Sequence, residues 1–211
     1  MSTDSIGIRP SSSRKEFTNS LYLLYFKLNS GNDHLVSDAR RVLAALRRSL
    51  TGPEQASAAY QLVFDAKPAE KDEEAFLLVG GLFGIHPQPR MSSAYKARRT
   101  LGAAMRSLNA EKYGTADRRF EQLLGMNRRN LPHYLRQTVR LLSTKKVSLD
   151  YGLLLDDVIV LLGERTDEAE RRRVRLAWAR DYHRRPSNTA DGESDESPAG
   201  EPTTDSSDTE N

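Results

Sequence analysis

Residues 35–50 read LVSDARRVLAALRRSL. Leu35, Ala39, Val42, Leu43, Leu46 and Leu50 recur at intervals of three and four, which puts them on one face of a helix. The arginines of the same stretch form the pairs Arg40/Arg47 and Arg41/Arg48, each repeating at i+7. Gly52 and Pro53 then stop the helix, because glycine accepts a left-handed cap and proline cannot continue the ladder. A leucine face beside a row of basic residues recurs in the helices predicted from Ser93 and from Leu131.

Upstream, Phe17, Leu21, Leu24 and Leu28 form a second helical stripe. Downstream, the spacing predicts a short helix from about Gln55 to Phe64 and a proline-containing link from Ala66 to Lys71. Asp72 to Gly84 is apolar on nearly all sides, the mark of a buried helix. Gly80-Gly81 lies inside it with no phosphate-loop context, so close helix packing is its reading. Ile85 to Arg90 (IHPQPR) holds two prolines, is the best interior boundary, and makes His86 a loop residue. Beyond it, helices are predicted over Ser93 to Leu108, Thr115 to Gly125, Leu131 to Ser143, Asp150 to Leu162 and Asp167 to Arg184. Thr115, Ser148 and Thr166, each followed by Asp or Glu, supply cap oxygens and carboxylates for three helix starts. Val158-Ile159-Val160 could pass for a strand, but the leucines on both sides favour helix. The prediction is an all-α protein of about nine helices in two small bundles. An N-terminal bundle covers 14–86 and a basic C-terminal bundle 92–185. Residues 1–13, with Ser11 to Ser13 after Pro10, read as disordered. So does an acidic tail, 186–211, whose only apolar residues are Ala190 and Ala199.

Charge is distributed unevenly. The chain of 211 residues carries 32 Lys+Arg against 29 Asp+Glu, a formal +3. Eight of the acids lie in 186–211, which holds no Lys or Arg, so 1–185 carries 32 basic against 21 acidic residues, or +11. Between Arg90 and Lys146 fourteen basic residues face three acids, Glu111, Asp117 and Glu121. A solvated helix face normally mixes both signs. A surface this one-sided repels itself unless something negative lies on it. Arginine suits phosphate because its planar fork donates two hydrogen bonds.

Helical spacing sorts these groups. Lys96, Arg99 and Arg106 share one stripe of the helix from Ser93, with Leu101, Met105 and Leu108 on another. His133, Arg136 and Arg140 share a stripe of the helix from Leu131, opposite Leu135, Val139 and Leu142. Arg118-Arg119 opens one helix and Arg128-Arg129 precedes the next. The Lys and Arg residues among these, with Arg47 and Arg48, form the candidate nucleic-acid-binding set.

Other chemistry finds little support. The absence of cysteine excludes disulfides, thiolate metal sites and a cysteine nucleophile and fits a reducing, cytoplasmic setting. The four histidines are scattered without metal-site spacing, so no catalytic residue, metal or cofactor is expected. Asp156-Asp157 diverge by about 100° on a helix and read as its polar edge. The apolar run Ala75 to Ile85 is about half of what a membrane-spanning helix needs, and Met1 to Arg9 carries no signal pattern, so no membrane partner is expected. Tyr22, Tyr25 and Phe26, and likewise Trp178 and Tyr182, read as core.

Six segments in order carry a family resemblance. They are Ala45-Leu46-Arg47-Arg48, Leu82-Phe83-Gly84-Ile85-His86-Pro87-Gln88, Leu101-Gly102-Ala103-Ala104-Met105-Arg106, Arg118-Arg119-Phe120-Glu121-Gln122-Leu123-Leu124, Asn130-Leu131-Pro132-His133-Tyr134-Leu135-Arg136-Gln137 and Asp150-Tyr151-Gly152-Leu153-Leu154-Leu155-Asp156-Asp157. Over roughly Leu21 to Arg185 the chain resembles the CasB-type small subunit of the type I-E CRISPR surveillance complex, Cascade. The resemblance implies a non-catalytic, all-helical subunit of an antiviral complex. It implies a second copy of itself as neighbour, and contacts to the Cascade backbone and large subunits. It further implies contact with guide RNA and with the target and displaced strands of target DNA, stabilising the R-loop. Family basic positions match at Arg118, Arg119 and Arg136, also at Arg47, Arg48 and Arg106, and more loosely at Arg128 and Arg129. The first helix departs, offering Tyr22 and Tyr25 where the family has tryptophan, and the acidic tail has no counterpart. The alternative reading is a helical protein–protein adaptor whose basic surface docks an acidic partner protein. A helix-turn-helix regulator would need Thr115 to Gly125 as its recognition helix.

Overall fold

The computed structural model describes residues 10–52, 57–90, 99–110 and 115–184, and these contain nine α-helices and no strand. They are α1 (Pro10–Leu28), α2 (Asp33–Ser49), α3 (Ser57–Asp65), α4 (Glu73–Ile85), α5 (Leu101–Ala110), α6 (Thr115–Leu124), α7 (Leu131–Thr144), α8 (Tyr151–Leu162) and α9 (Glu168–His183), with one 3-10 turn, Glu70–Asp72, before α4. The all-α prediction therefore holds.

Helix starts are chemically marked. Asn32 Oδ1 accepts from His34 N and Leu35 N at 3.1 and 3.3 Å, capping α2. Asp150 caps α8 through Gly152 N and Leu153 N (2.9 and 3.1 Å), and Asp167 caps α9 through Glu170 N (2.7 Å). The caps are thus the aspartates themselves, not Ser148 or Thr166. A carboxylate adds its charge to the favourable end of the helix dipole, which a hydroxyl cannot do. The first helix begins at Pro10, earlier than expected. Ser13 is buried and donates to Lys67 O at 2.8 Å, so contacts distant in sequence stabilise a start that local composition disfavours.

α4 lies at the centre, packed against α1, α2, α3, α7 and α8. Residues 78–84 are all buried, as their unbroken apolar character requires. A Cβ on Gly81 would stand 2.9 Å from Leu46 O, and one on Gly84 2.9 Å from Leu43 O, so α2 and α4 meet backbone to backbone. Phe17 and Phe76 pack with centroids 4.9 Å apart, and Phe83 and Tyr151 at 5.0 Å.

The proline-rich segment after α4 is tightly held. His86 Nε2 lies 2.8 Å from Val147 O, and Gln88 exchanges two hydrogen bonds with the Leu149 backbone (2.8 and 3.1 Å). His86 is a loop residue, but a buried one.

α5 lies on α9. A Cβ on Gly102 would come within 2.0 Å of Trp178 O, so only glycine permits that approach. Trp178 and Tyr182 are buried, as predicted. Phe26 is not, being 69% exposed. It falls two residues beyond Leu24, about 200° around the helix from the buried stripe.

Candidate nucleic-acid interface

α6 and α7 pack side by side, and a shallow groove of about 270 Å³ runs over their junction. Arg119 lines it from α6; Gln137, Arg140, Leu141 and Thr144 line it from α7. The buried residues Ala116, Phe120 and Leu123 turn the other face of α6 inward and leave Arg118 and Arg119 exposed. On α7, Leu131, Leu135, Thr138, Val139 and Leu142 are buried, and His133, Gln137, Arg140 and Thr144 form an exposed row at i, i+4, i+7 and i+11. The Gln137 amide nitrogen lies 2.6 Å from His133 Nε2. No carboxylate lines the groove among the described residues. Two guanidiniums and the Gln137 amide supply donors for an extended anionic chain, while the Thr144 hydroxyl donates to Leu141 O at 2.8 Å.

The row differs from the predicted one at one position. Arg136 turns away from it, and its Nη2 donates to Leu50 O at the C-terminal end of α2. It satisfies the Leu50 carbonyl and adds a third positive charge to a helix end that already carries Arg47 and Arg48. Burial, and then the neighbouring Arg140, push its guanidinium below the ordinary arginine value. The contact also brings the last turn of α2, with exposed Arg47 and Arg48, up to α7. The stem of Arg47 lies over Gly84.

Other predicted residues have different surroundings. Arg128 donates to Glu164 (3.3 Å) and Glu74 (3.4 Å), joining the start of α4 to the α8–α9 connection. Arg106 donates to Arg184 O at 2.7 Å. Arg99 precedes α5 instead of lying within it, so it does not continue a helical stripe to Arg106; its side chain reaches Ser107 at 3.5 Å. Thr100 caps that helix, its hydroxyl accepting from Ala103 N (3.2 Å) and donating to Asp181 (2.7 Å). Lys96 lies outside the described residues. Arg129 is exposed in the loop before α7.

Two features escaped the sequence reading. Gln137 and Thr144 carry no charge, so counting arginines passes over them, although their spacing from Arg140 was available. On α9, Arg171 and Arg175 are tied to Glu168 and to backbone carbonyls, whereas Arg172, Arg173 and Arg180 are exposed. The run Arg171-Arg172-Arg173 was the signal.

One carboxylate is chemically unusual. Trp178 Nε1 donates to Asp157 Oδ2 at 2.6 Å. Burial raises the Asp157 pKa to about 6 despite that hydrogen bond, with Asp156 and Asp181 adding to the rise. Asp156, exposed, pairs with Arg14 at 2.9 Å. Among the described residues no group of three or more His, Asp and Glu could hold a metal ion, and no helix is long and apolar enough to cross a membrane.

Comparison with known proteins adds an independent line. Residues 42–183 match the family model described as CRISPR-associated protein Cse2. Among solved structures, CasB from Thermus thermophilus is 29% identical, with 81% of this chain and 97% of that one covered and a TM-score of 0.56. CasB from Thermobifida fusca is 27% identical over 83% and 97% of the two chains, with a TM-score of 0.58. A chain of a CRISPR RNA-guided surveillance complex, 23% identical over 82% and 93%, shares the fold with a TM-score of 0.57. No curated protein matches.

Proposed function

The chain belongs to the CRISPR-associated Cse2 family, and from that membership we propose that it is the non-catalytic small subunit of a Cascade-type surveillance complex. In this reading it sits beside a second copy of itself and against the backbone and large subunits, within the cytoplasm. It holds guide RNA and opened target DNA by their phosphates. The observation that carries the reading is the α6–α7 groove, which Arg119 and Arg140 line together without a carboxylate.

The physics suits such a role. When a guide strand reads the target, base pairing supplies sequence specificity, and exchanging one duplex for another is close to balanced in free energy. Contacts of modest strength to an opened strand then tip the exchange toward the R-loop. Phosphate contacts carry no sequence information, which is the property required of a subunit that must serve any target. Arg118, exposed near the start of α6, and Arg129, exposed in the loop before α7, extend the positive surface beyond the groove. Arg128 and Arg136 act mainly by holding the elements in place.

The test uses a reconstituted complex. Arg119→Ala with Arg140→Ala should assemble normally and release target DNA several-fold faster than the parent. Arg41→Ala removes a positive charge that is already bound to Asp38 at 2.8 Å and serves as the matched control. Equal release rates for parent and groove variant would overturn the proposal. Loss of a bound acidic protein with target release unchanged would favour the adaptor reading.

A further inference from the structure

We propose that the acidic segment 186–211 occupies the α6–α7 groove of its own chain through its carboxylates, and that nucleic acid must displace it. The inference rests on the nucleic-acid reading of that groove and adds an intramolecular competitor.

Charge is the first support. The segment has eight acidic residues and no Lys or Arg, and follows a body carrying +11. In an extended chain Asp191, Glu193 and Asp195 fall on one side, about 7 Å apart. Such a row of carboxylates resembles a run of phosphates, and each can accept two hydrogen bonds from a guanidinium.

Position is the second, independent support. The last turn of α9 is fastened to α6. The Tyr182 ring stacks on Phe120 with centroids 4.2 Å apart, and its hydroxyl donates to Asp117, the residue before Arg118 and Arg119. Arg106 holds Arg184 O at 2.7 Å, so the backbone is anchored between α5 and α6 where the described chain ends. Asp191 is seven residues beyond Arg184, within about 25 Å of it, and Glu210 within about 90 Å. Arg119 lies two residues, about 3 Å along the axis, from Asp117. Every acid of the segment can therefore reach the groove.

Strength is the third consideration. A tethered partner acts at an effective concentration on the order of millimolar, while exposed ion pairs are individually weak. The segment would screen loose, sequence-indifferent binding. It would yield to a strand already held by base pairing and by neighbouring subunits.

The chain lacks cysteine, so Ser207→Cys carries a single nitroxide. At low salt the label should broaden amide signals of α6 and α7 around Arg119 and Arg140, and 1 M NaCl should abolish the effect. In parallel, a full-length variant with the eight acids changed to Asn or Gln should bind oligo-dT at least about twofold more tightly at low salt. That factor follows when effective concentration and intramolecular dissociation constant are both on the order of 1 mM. In an Arg119→Ala/Arg140→Ala background the gain should shrink. An undiminished gain would mean that net charge alone is responsible and would overturn the proposal. Absence of broadening on α6 and α7 would also overturn it. Broadening with no oligo-dT binding by either chain would instead overturn the nucleic-acid reading, and competition with it.

Discussion

Asp157 and Arg136 show how single groups are set by their partners. With a folded pKa of about 6 against an ordinary value near 3.9, Asp157 binds a proton more tightly in the folded state than in the unfolded one. Between about pH 4 and 6 the native state therefore holds more protons, and the contribution of this group to stability falls as pH rises. Two units correspond to about 3 kcal/mol at most. Asp157→Asn, which keeps an oxygen for Trp178, should raise the melting temperature above pH 6, with the gain shrinking toward pH 4. A variant no more stable than the parent at pH 8 would refute the assignment. Arg136→Ala removes a partly buried hydrogen bond to Leu50 O and should cost about 1–3 kcal/mol in urea unfolding. Arg140→Ala, one turn on and exposed, should change stability by less than about 0.5 kcal/mol while weakening oligonucleotide binding. A reversal of those two effects would exchange their roles.

Helix packing is decided by glycines as much as by leucines. At Gly102 an added methyl would meet the backbone of Trp178 at 2.0 Å, which a rotamer change cannot relieve. Gly102→Ala should therefore destabilise by about 1–3 kcal/mol, although alanine is the better helix former. At Gly125 the nearest atom is 3.7 Å away, and the same change should be nearly neutral; thermal unfolding of the two variants checks the contrast. The helices themselves were legible because leucine period and breaker residues act within a few positions. The ends of α2, α4, α7 and α8 fall within about two residues of expectation, as local signals permit. What remained hidden depends on partners far along the chain. Arg128 meets Glu74 across 54 positions and Arg136 meets Leu50 across 86. Spacing reveals which way a side chain leaves its own helix, but not what waits there. Arg119 and Arg140 were legible as exposed cations, but the groove they share was not.

At the scale of the molecule, the body carries +11 and no carboxylate lines the α6–α7 groove among the described residues. Binding driven by such a surface releases counterions from the nucleic acid, so affinity must fall as salt rises. The most direct measurement is the slope of log affinity for oligo-dT against log salt, for the parent and for Arg118→Ala/Arg119→Ala/Arg140→Ala, with helicity checked by circular dichroism. Every phosphate of a single strand that goes without its arginine lowers the slope by about 0.7, so the triple variant should be shallower by about 2 with its fold intact. Identical slopes and affinities for the two proteins would contradict the account.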